Sequence, residues 1–276
     1  MKNYLLLLNT TQVKTELKTK EKRIMCDTCG CNITKGNEHT EAGQAAVDVL
    51  HGLLHQNDHQ ASHNREHFQE YSVLCINLMS SPGAGKTKLL ETTIDALKNE
   101  FKIAVIEGDL ETDNDAARIR AKGVEAIQIT TGSACHLDAH LIHHALHDLK
   151  LAGLDILFIE NVGNLVCPAS FDLGQQKNVV LLSTTEGDDK PAKYPVMFRS
   201  ADLMLITKTD LLAVLEDFVP KNAEQHLRNL ANAAPVFEIS AKTTAGFENW
   251  INWLKEELKQ YRATFPQQPS PHSHSH

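Results

Sequence analysis

A buried strand that runs straight into a glycine-rich loop and then a helix leaves a chain few folds to choose from. Residues 74–90 read Leu-Cys-Ile-Asn-Leu-Met-Ser-Ser-Pro-Gly-Ala-Gly-Lys-Thr-Lys-Leu-Leu. The apolar run over 73–79 suits a strand covered on both faces, while Leu89, Leu90, Thr93, Ile94 and Leu97 recur at helical spacing. Between them Gly85, Lys86 and Thr87 complete a glycine, four variable residues and Gly-Lys-Ser/Thr, a pattern whose backbone N–H groups wrap phosphate oxygens at a helix N-terminus. Gly83, Ala84, Gly85, Lys86 and Thr87 are therefore the expected phosphate cradle, with Lys86 on the outer phosphates and the Thr87 hydroxyl on magnesium. Ser80 stands where the pattern has its first glycine, which requires that its φ be negative.

Further apolar runs at 102–106, 125–130, 154–159, 178–183, 202–207 and 235–239 predict six more strands. Helical stretches separate them, so the fold class is α/β: a mostly parallel sheet flanked by helices. The expected organisation is a leader at 1–24, a cysteine- and histidine-rich metal-binding segment at 25–71, the phosphate-loop domain at 72–262 and a disordered tail at 263–276. The leader is expected to be disordered or weakly helical, with Met25 as a candidate start. The closing stretch presents Phe247, Trp250, Ile251, Leu254, Leu258 and Tyr261 at helical intervals, which is core packing.

A formal charge of -8 argues against a nucleic-acid partner, which calls for a clustered basic surface. The apolar run at 5–8 is too short for a signal peptide, and nothing approaches a membrane span, so the expected location is the cytoplasm.

Six cysteines and fifteen histidines point to metal chemistry. Cys26, Cys29 and Cys31 place three thiols within a short stretch that Gly30 can fold around one ion; a redox Cys-x-x-Cys and three unrelated cysteines are the rivals. His51, His55, His59, His63 and His67 repeat every four residues. On a helix that spacing lets adjacent pairs clamp separate ions without all five sharing one, as in a store. Gly52, Asn57, Asp58, Ser62 and Asn64 are weak helix formers, which predicts a segment disordered without metal; a solvated linker is the bland alternative.

Asp109 closes the second strand, where a carboxylate suits magnesium or the positioning of a water, although an acidic loop capping the next helix explains it too. Cys135 and His136 follow the third strand, and Glu160 ends the fourth with Cys167 seven residues beyond, so two strand ends offer metal ligands. The sixth strand ends in Thr207-Lys208-Thr209-Asp210. The Asp210 carboxylate can accept the two donors on one edge of guanine, which adenine lacks, while the Lys208 stem packs along the ring. The backbone of Ser240, Ala241 and Lys242, after the last strand, can receive the guanine oxygen.

Met25 to Cys31, Ser80 to Thr87, Glu107-Gly108-Asp109, Cys135-His136-Leu137-Asp138 and the run from Glu160 to Pro168 together resemble the HypB family, hydrogenase nickel-incorporation GTPases. That resemblance covers the chain from Met25 to about Tyr261 and implies a SIMIBI-class P-loop G domain that binds GTP with Mg2+ and hydrolyses it. It further implies a homodimer formed on GTP or metal binding, a HypA-type nickel metallochaperone as partner, and nickel delivery to the hydrogenase large subunit precursor. Carried over, Cys26, Cys29 and Cys31 become an N-terminal nickel site, and Cys135, His136 and Cys167 a G-domain site for nickel or zinc. Lys86, Asp109 and Glu160 become the catalytic set. Thr207 departs from the family's Asn-Lys-x-Asp, so the base loop lacks its usual amide support. The alternatives are a urease nickel-delivery GTPase, whose Cys-Pro-His is here Cys167-Pro168-Ala169, an ATP-dependent P-loop enzyme, and a mainly non-catalytic nickel store.

Overall fold

The structure is a computed structural model describing residues 41–109, 114–132 and 134–266, with side chains described from residue 51. The expectations for the leader, for Cys26, Cys29, Cys31 and His39, and for the C-terminal His272, His274 and His276 lie outside the described residues.

Seven parallel strands form one sheet: β1 (Leu74–Ser80), β2 (Ile103–Asp109), β3 (Glu125–Thr130), β4 (Ile156–Glu160), β5 (Lys177–Ser183), β6 (Leu203–Thr207) and β7 (Val236–Glu238). Their order across the sheet is β3-β2-β4-β1-β5-β6-β7, which puts β1 at the centre. Every residue of β1 is buried, as expected for a strand covered on both faces by crossover helices. The eight helices of the described residues are α1 (Glu41–Glu70), α2 (Lys86–Leu97), α3 (Asn114–Arg120), α4 (Ala139–His147), α5 (Lys190–Lys193), α6 (Pro195–Arg199), α7 (Pro220–Asn229) and α8 (Phe247–Thr264).

Side-chain alternation along the strands separates two apolar layers. Leu74, Ile76 and Leu78 of β1 meet Leu89 and Ile94 of α2 and Trp250 and Leu254 of α8. The Trp250 indole N–H donates to Thr93 Oγ1 at 2.8 Å, so the largest buried side chain of this layer carries no orphaned donor. On the other face, Cys75, Ala104, Ile106, Leu157 and Ile159 pack against Phe68 of α1 and Ile142 and Leu146 of α4. Met79, Val180, Leu182 and Ile206 continue that face against Met197, Phe198 and Leu227.

The histidine-bearing segment departs from expectation. It is the 30-residue helix α1, and its C-terminal half belongs to the folded body. Asn57 and Asn64, poor helix formers in isolation, are buried and tie α1 to two other segments. Asn57 donates to the Asp172 carbonyl at 2.8 Å and accepts from the Ala139 N–H at 2.9 Å. Asn64 donates to the Ala139 carbonyl at 2.8 Å and to the Leu173 carbonyl at 3.1 Å. Arg65 forms a two-pronged pair with Asp172 at 2.9 and 2.7 Å. A Cβ on Gly174 would sit 2.6 Å from the Ala61 carbonyl, so only glycine lets the chain pass so close beneath the helix. Tertiary contacts override the weak intrinsic propensity.

Candidate nucleotide and metal site

The loop between β1 and α2 turns through two left-handed glycines, Gly83 (φ 74°) and Gly85 (φ 100°), and delivers Lys86 and Thr87 as the first residues of the helix. Ser80 keeps a negative φ, meeting the condition under which serine replaces glycine there. Its hydroxyl accepts from Lys86 Nζ at 3.0 Å, aiming the ammonium across the loop, and burial pushes the Lys86 pKa down.

Strand register builds the acidic wall of the same cleft. Glu160 on β4 is in register with Leu78 on β1 and with Glu107 on β2, so two carboxylates stand on adjacent strands at the carboxyl end of the sheet. Asp115 of α3 completes the group: one oxygen from each of Glu107, Asp115 and Glu160 lies within 4.8 Å of the others. Thr87 Oγ1 donates to Glu160 Oε1 at 2.8 Å. The second oxygens of Glu107 and Glu160 are buried with no hydrogen-bond partner. Burial, reinforced by the charge of Glu160, raises the Glu107 pKa to about 8. Burial likewise raises Glu160 to about 7, against the opposing pull of Lys86 and Thr87. Two orphaned carboxylate oxygens beside the Thr87 hydroxyl fit a hard divalent cation such as Mg2+. Asp109 lines this cleft of about 380 Å³ but lies outside the converging trio.

At the far side of the loop, a second pocket of about 250 Å³ is walled by Gly85, Leu89, Lys208, Asp210, Ala241 and Lys242. Lys208 takes a left-handed conformation (φ 59°), and its Nζ donates to the Gly83 carbonyl at 2.7 Å, stretching the stem across the pocket. Ser240, fully buried, donates to Asp210 Oδ1 at 2.7 Å and accepts from the Lys242 and Thr243 N–H groups, fixing the carboxylate and the last loop together. At Thr207, where an asparagine was the pattern, the threonine hydroxyl donates to the Ala84 carbonyl at 2.7 Å, tying the loop after β6 to the loop before α2.

Cys135, His136 and Cys167 also come together, with one ligand atom from each within 4.8 Å of the others. Cys135 Sγ lies 3.7 Å from His136 Nδ1. His136 is buried and stacks on Phe171 with ring centroids 3.9 Å apart, and burial pushes its pKa down, keeping the imidazole in the neutral form that ligates. Cys167 opens a short 3-10 helix (Cys167–Ser170). Asn164 donates to the Cys135 carbonyl at 3.3 Å, joining the two ligand loops.

Two contacts connect this trio to the phosphate cleft. A Cβ on Gly163 would fall 2.8 Å from Pro82 Cα, so the segment after Glu160 lies directly against the phosphate loop. A Cβ on Gly108 would meet the Leu137 side chain at 2.8 Å, so β2 presses in the same way on the loop that carries Cys135 and His136.

Residues 74–238 match the family described as CobW/HypB/UreG, nucleotide-binding domain. The hydrogenase maturation factor HypB of Azotobacter vinelandii is 51% identical over 205 residues, covering 74% of this chain and 67% of that protein. HypB of Escherichia coli K12 is 48% identical over 227 residues, covering 79% and 78% respectively. The crystal structure of HypB from Helicobacter pylori in complex with nickel superposes with a TM-score of 0.71 at 44% identity, covering 79% of this chain and 99% of that one. HypB from Archaeoglobus fulgidus gives 0.70 at 41% identity, with 74% and 100% covered. The chain belongs to the HypB family of hydrogenase maturation factors.

Of the expected site residues, the structure gathers Gly83, Gly85, Lys86, Thr87 and Glu160 at one cleft, Ala84, Lys208, Asp210, Ala241 and Lys242 at the next, and Cys135, His136 and Cys167 beyond. Glu107 and Asp115 converge with Glu160 where the expected Asp109 does not; Glu107 stands two residues before the end of β2, and only the strand register, which a sequence does not display, sets it beside Glu160. Among the α1 histidines, His59 and His63 lie with ring centroids 4.9 Å apart, while His67 stacks on His143 of α4.

Proposed function

We propose that this chain is a GTPase that couples hydrolysis to the binding and release of nickel, which it delivers during hydrogenase maturation. The observation that supports this most directly is the segment Glu160-Asn161-Val162-Gly163, which carries a cleft carboxylate at one end, leans on Pro82, and leads to Cys167. Asn161 is buried at its centre, accepting from the Leu137 and Val162 N–H groups at 3.2 and 2.9 Å. The segment has discrete partners on both the phosphate side and the metal side, as a two-state element needs.

In this reading Asp210 accepts the two guanine donors, Lys208 covers the ring, and the loop from Ser240 to Lys242 receives the guanine oxygen. Lys86 and the N–H groups of Gly83 to Thr87 neutralise phosphate charge. Thr87, Glu107, Asp115 and Glu160 would hold Mg2+, which when bound draws charge from the phosphate oxygens. Asp109, facing the same cleft, orients a water whose oxygen bonds to the terminal phosphorus as the bond to the departing GDP oxygen breaks. Loss of phosphate frees the segment after Glu160, and Cys167 shifts with it.

Cys135, His136 and Cys167 supply three ligands to an ion that commonly takes four, so a homodimer that shares metal across its interface completes the set. Val166, beside Cys167, is 52% exposed and fits that interface. A HypA-type nickel metallochaperone and the hydrogenase large subunit precursor are the expected partners in the cytoplasm; no helix of the described residues is long and apolar enough to cross a membrane. Cys26, Cys29 and Cys31 would form a further nickel site, the α1 histidines would store additional ions, and zinc is the competitor at the Cys135 site. The His51–His67 store and the leader boundary at 24 belong to this proposal, whereas α1, packed through Phe68, and α8, which runs to Thr264, carry the folded body across the expected boundaries at 71 and 262.

GTP hydrolysis and particle mass, measured with and without nickel for the intact chain and for Lys86→Ala, test the reading. Turnover should be lost in the variant, and the mass of the intact chain should double on addition of GTP or of nickel. Equal nickel affinity in the GTP-analogue and GDP states would sink the coupling.

A further inference from the structure

One histidine group lies apart from both the phosphate cleft and the Cys135 trio. α1 and α4 run against each other, and where they meet the rings of His67 and His143 stack with centroids 5.9 Å apart and planes 28° from parallel. One turn along α4, His147 meets His143 edge-on at 4.9 Å. These rings border a cavity of about 300 Å³, with Tyr71 and Lys150 also on its wall. His143 Nδ1 is buried and has no hydrogen-bond partner, an unused donor or acceptor. His67 Nδ1 faces Glu70 Oε2 at 3.9 Å, an arrangement that can leave Nε2 for a ligand role while the carboxylate orients the ring.

We propose that His67, His143 and His147 form a three-imidazole site for a divalent ion of the nickel or zinc type, bridging α1 and α4. Imidazole is the ligand that suits these borderline ions, and a pair at i and i+4 on one helix presents two nitrogens on one face. The third ligand comes from the facing helix. As placed, the ring nitrogens do not meet at one point. The half-exposed His67 and exposed His147 can rotate towards the fixed, partly buried His143 without moving either backbone. The site would sit between two runs of histidine, His59 and His63 on α1 and His140 and His144 along α4, whose N-terminal end adjoins His136. The proposal rests on ligand placement and is independent of the nucleotide chemistry.

The test is nickel titration of the full-length chain, followed by calorimetric stoichiometry and by the thiolate-to-nickel absorption band that reports the cysteine sites. His143→Gln/His147→Gln should lose one bound nickel while the thiolate band keeps its amplitude. His67→Gln alone should lose the same equivalent, since two imidazoles on α4 hold the ion far less tightly than three. Unchanged stoichiometry and affinity in the double variant would overturn the site, and unchanged binding in His67→Gln would overturn its bridging of two helices. Unfolding midpoints measured in chelator identify misfolded variants, and exposed His147→Gln alone serves where His143 cannot be replaced. Repeating the titration with Zn2+ assigns the preferred ion; no loss with either metal refutes the proposal.

Discussion

Gly163→Ala tests the link between the two sites with a single methyl group. The added Cβ would stand 2.8 Å from Pro82 Cα and 2.9 Å from Pro82 N, both backbone atoms that no rotamer change can move aside. Reaching an unstrained separation of roughly 3.5 Å takes a shift of about 0.7 Å, and overpacking of this kind costs about 1–3 kcal/mol. Coupling energies between two sites are of the same size, about 1–3 kcal/mol, so the methyl group can cancel the difference between the segment's two positions. The assay is nickel affinity by competition with a chromophoric chelator, in GTP analogue and in GDP, with nucleotide affinity measured in parallel. The ratio of the two nickel affinities should collapse towards unity, with a modest loss of nucleotide affinity if Pro82 gives way instead. A folded Gly163→Ala protein that keeps the wild-type ratio would show that the segment does not transmit the nucleotide state.

Thr207→Val keeps the shape of the side chain but leaves the Ala84 carbonyl without its donor, a loss of about 1–3 kcal/mol. Guanine nucleotide affinity should fall about tenfold by fluorescent-nucleotide titration, with no change in nickel stoichiometry. Asn64→Leu strands the buried Ala139 and Leu173 carbonyls and should destabilise the whole domain by about 2–4 kcal/mol in urea unfolding, since the second half of α1 packs as part of it. In chelator, stability should decline as pH rises from about 5 to about 8, the interval between the ordinary glutamate value and the raised ones. Glu107 (about 8) and Glu160 (about 7) hold protons that the unfolded chain has already released, and each such proton is worth up to about 1.4 kcal/mol per pH unit. His136, pushed down by burial, acts oppositely below its ordinary value, so the decline is shallower on the acid side and steepest near neutrality. Magnesium should flatten it, and Glu107→Gln should weaken it.

The parts of this molecule that the sequence makes legible are those whose information is local. Each strand is a short apolar run, and the phosphate loop, the base loop and the Cys135 pair are each contiguous in the chain, so spacing alone exposes them. What escapes is held by partners far along the chain. Asn57 and Asn64 look like helix breakers until Ala139, Asp172 and Leu173 arrive to use their amides. Asp115 looks like an ordinary first-turn acid until strand register sets Glu107 beside Glu160. Ser80 and Thr207 read as departures from pattern because a motif records residue types, whereas the fold needs only a hydroxyl within reach of Lys86 and another within reach of the Ala84 carbonyl. The same reasoning accounts for His67. A four-residue repeat assigns it to its own helix, yet the packing of α1 against α4 sets it on His143, and a ligand set that spans two helices has no sequence spacing by which to be found.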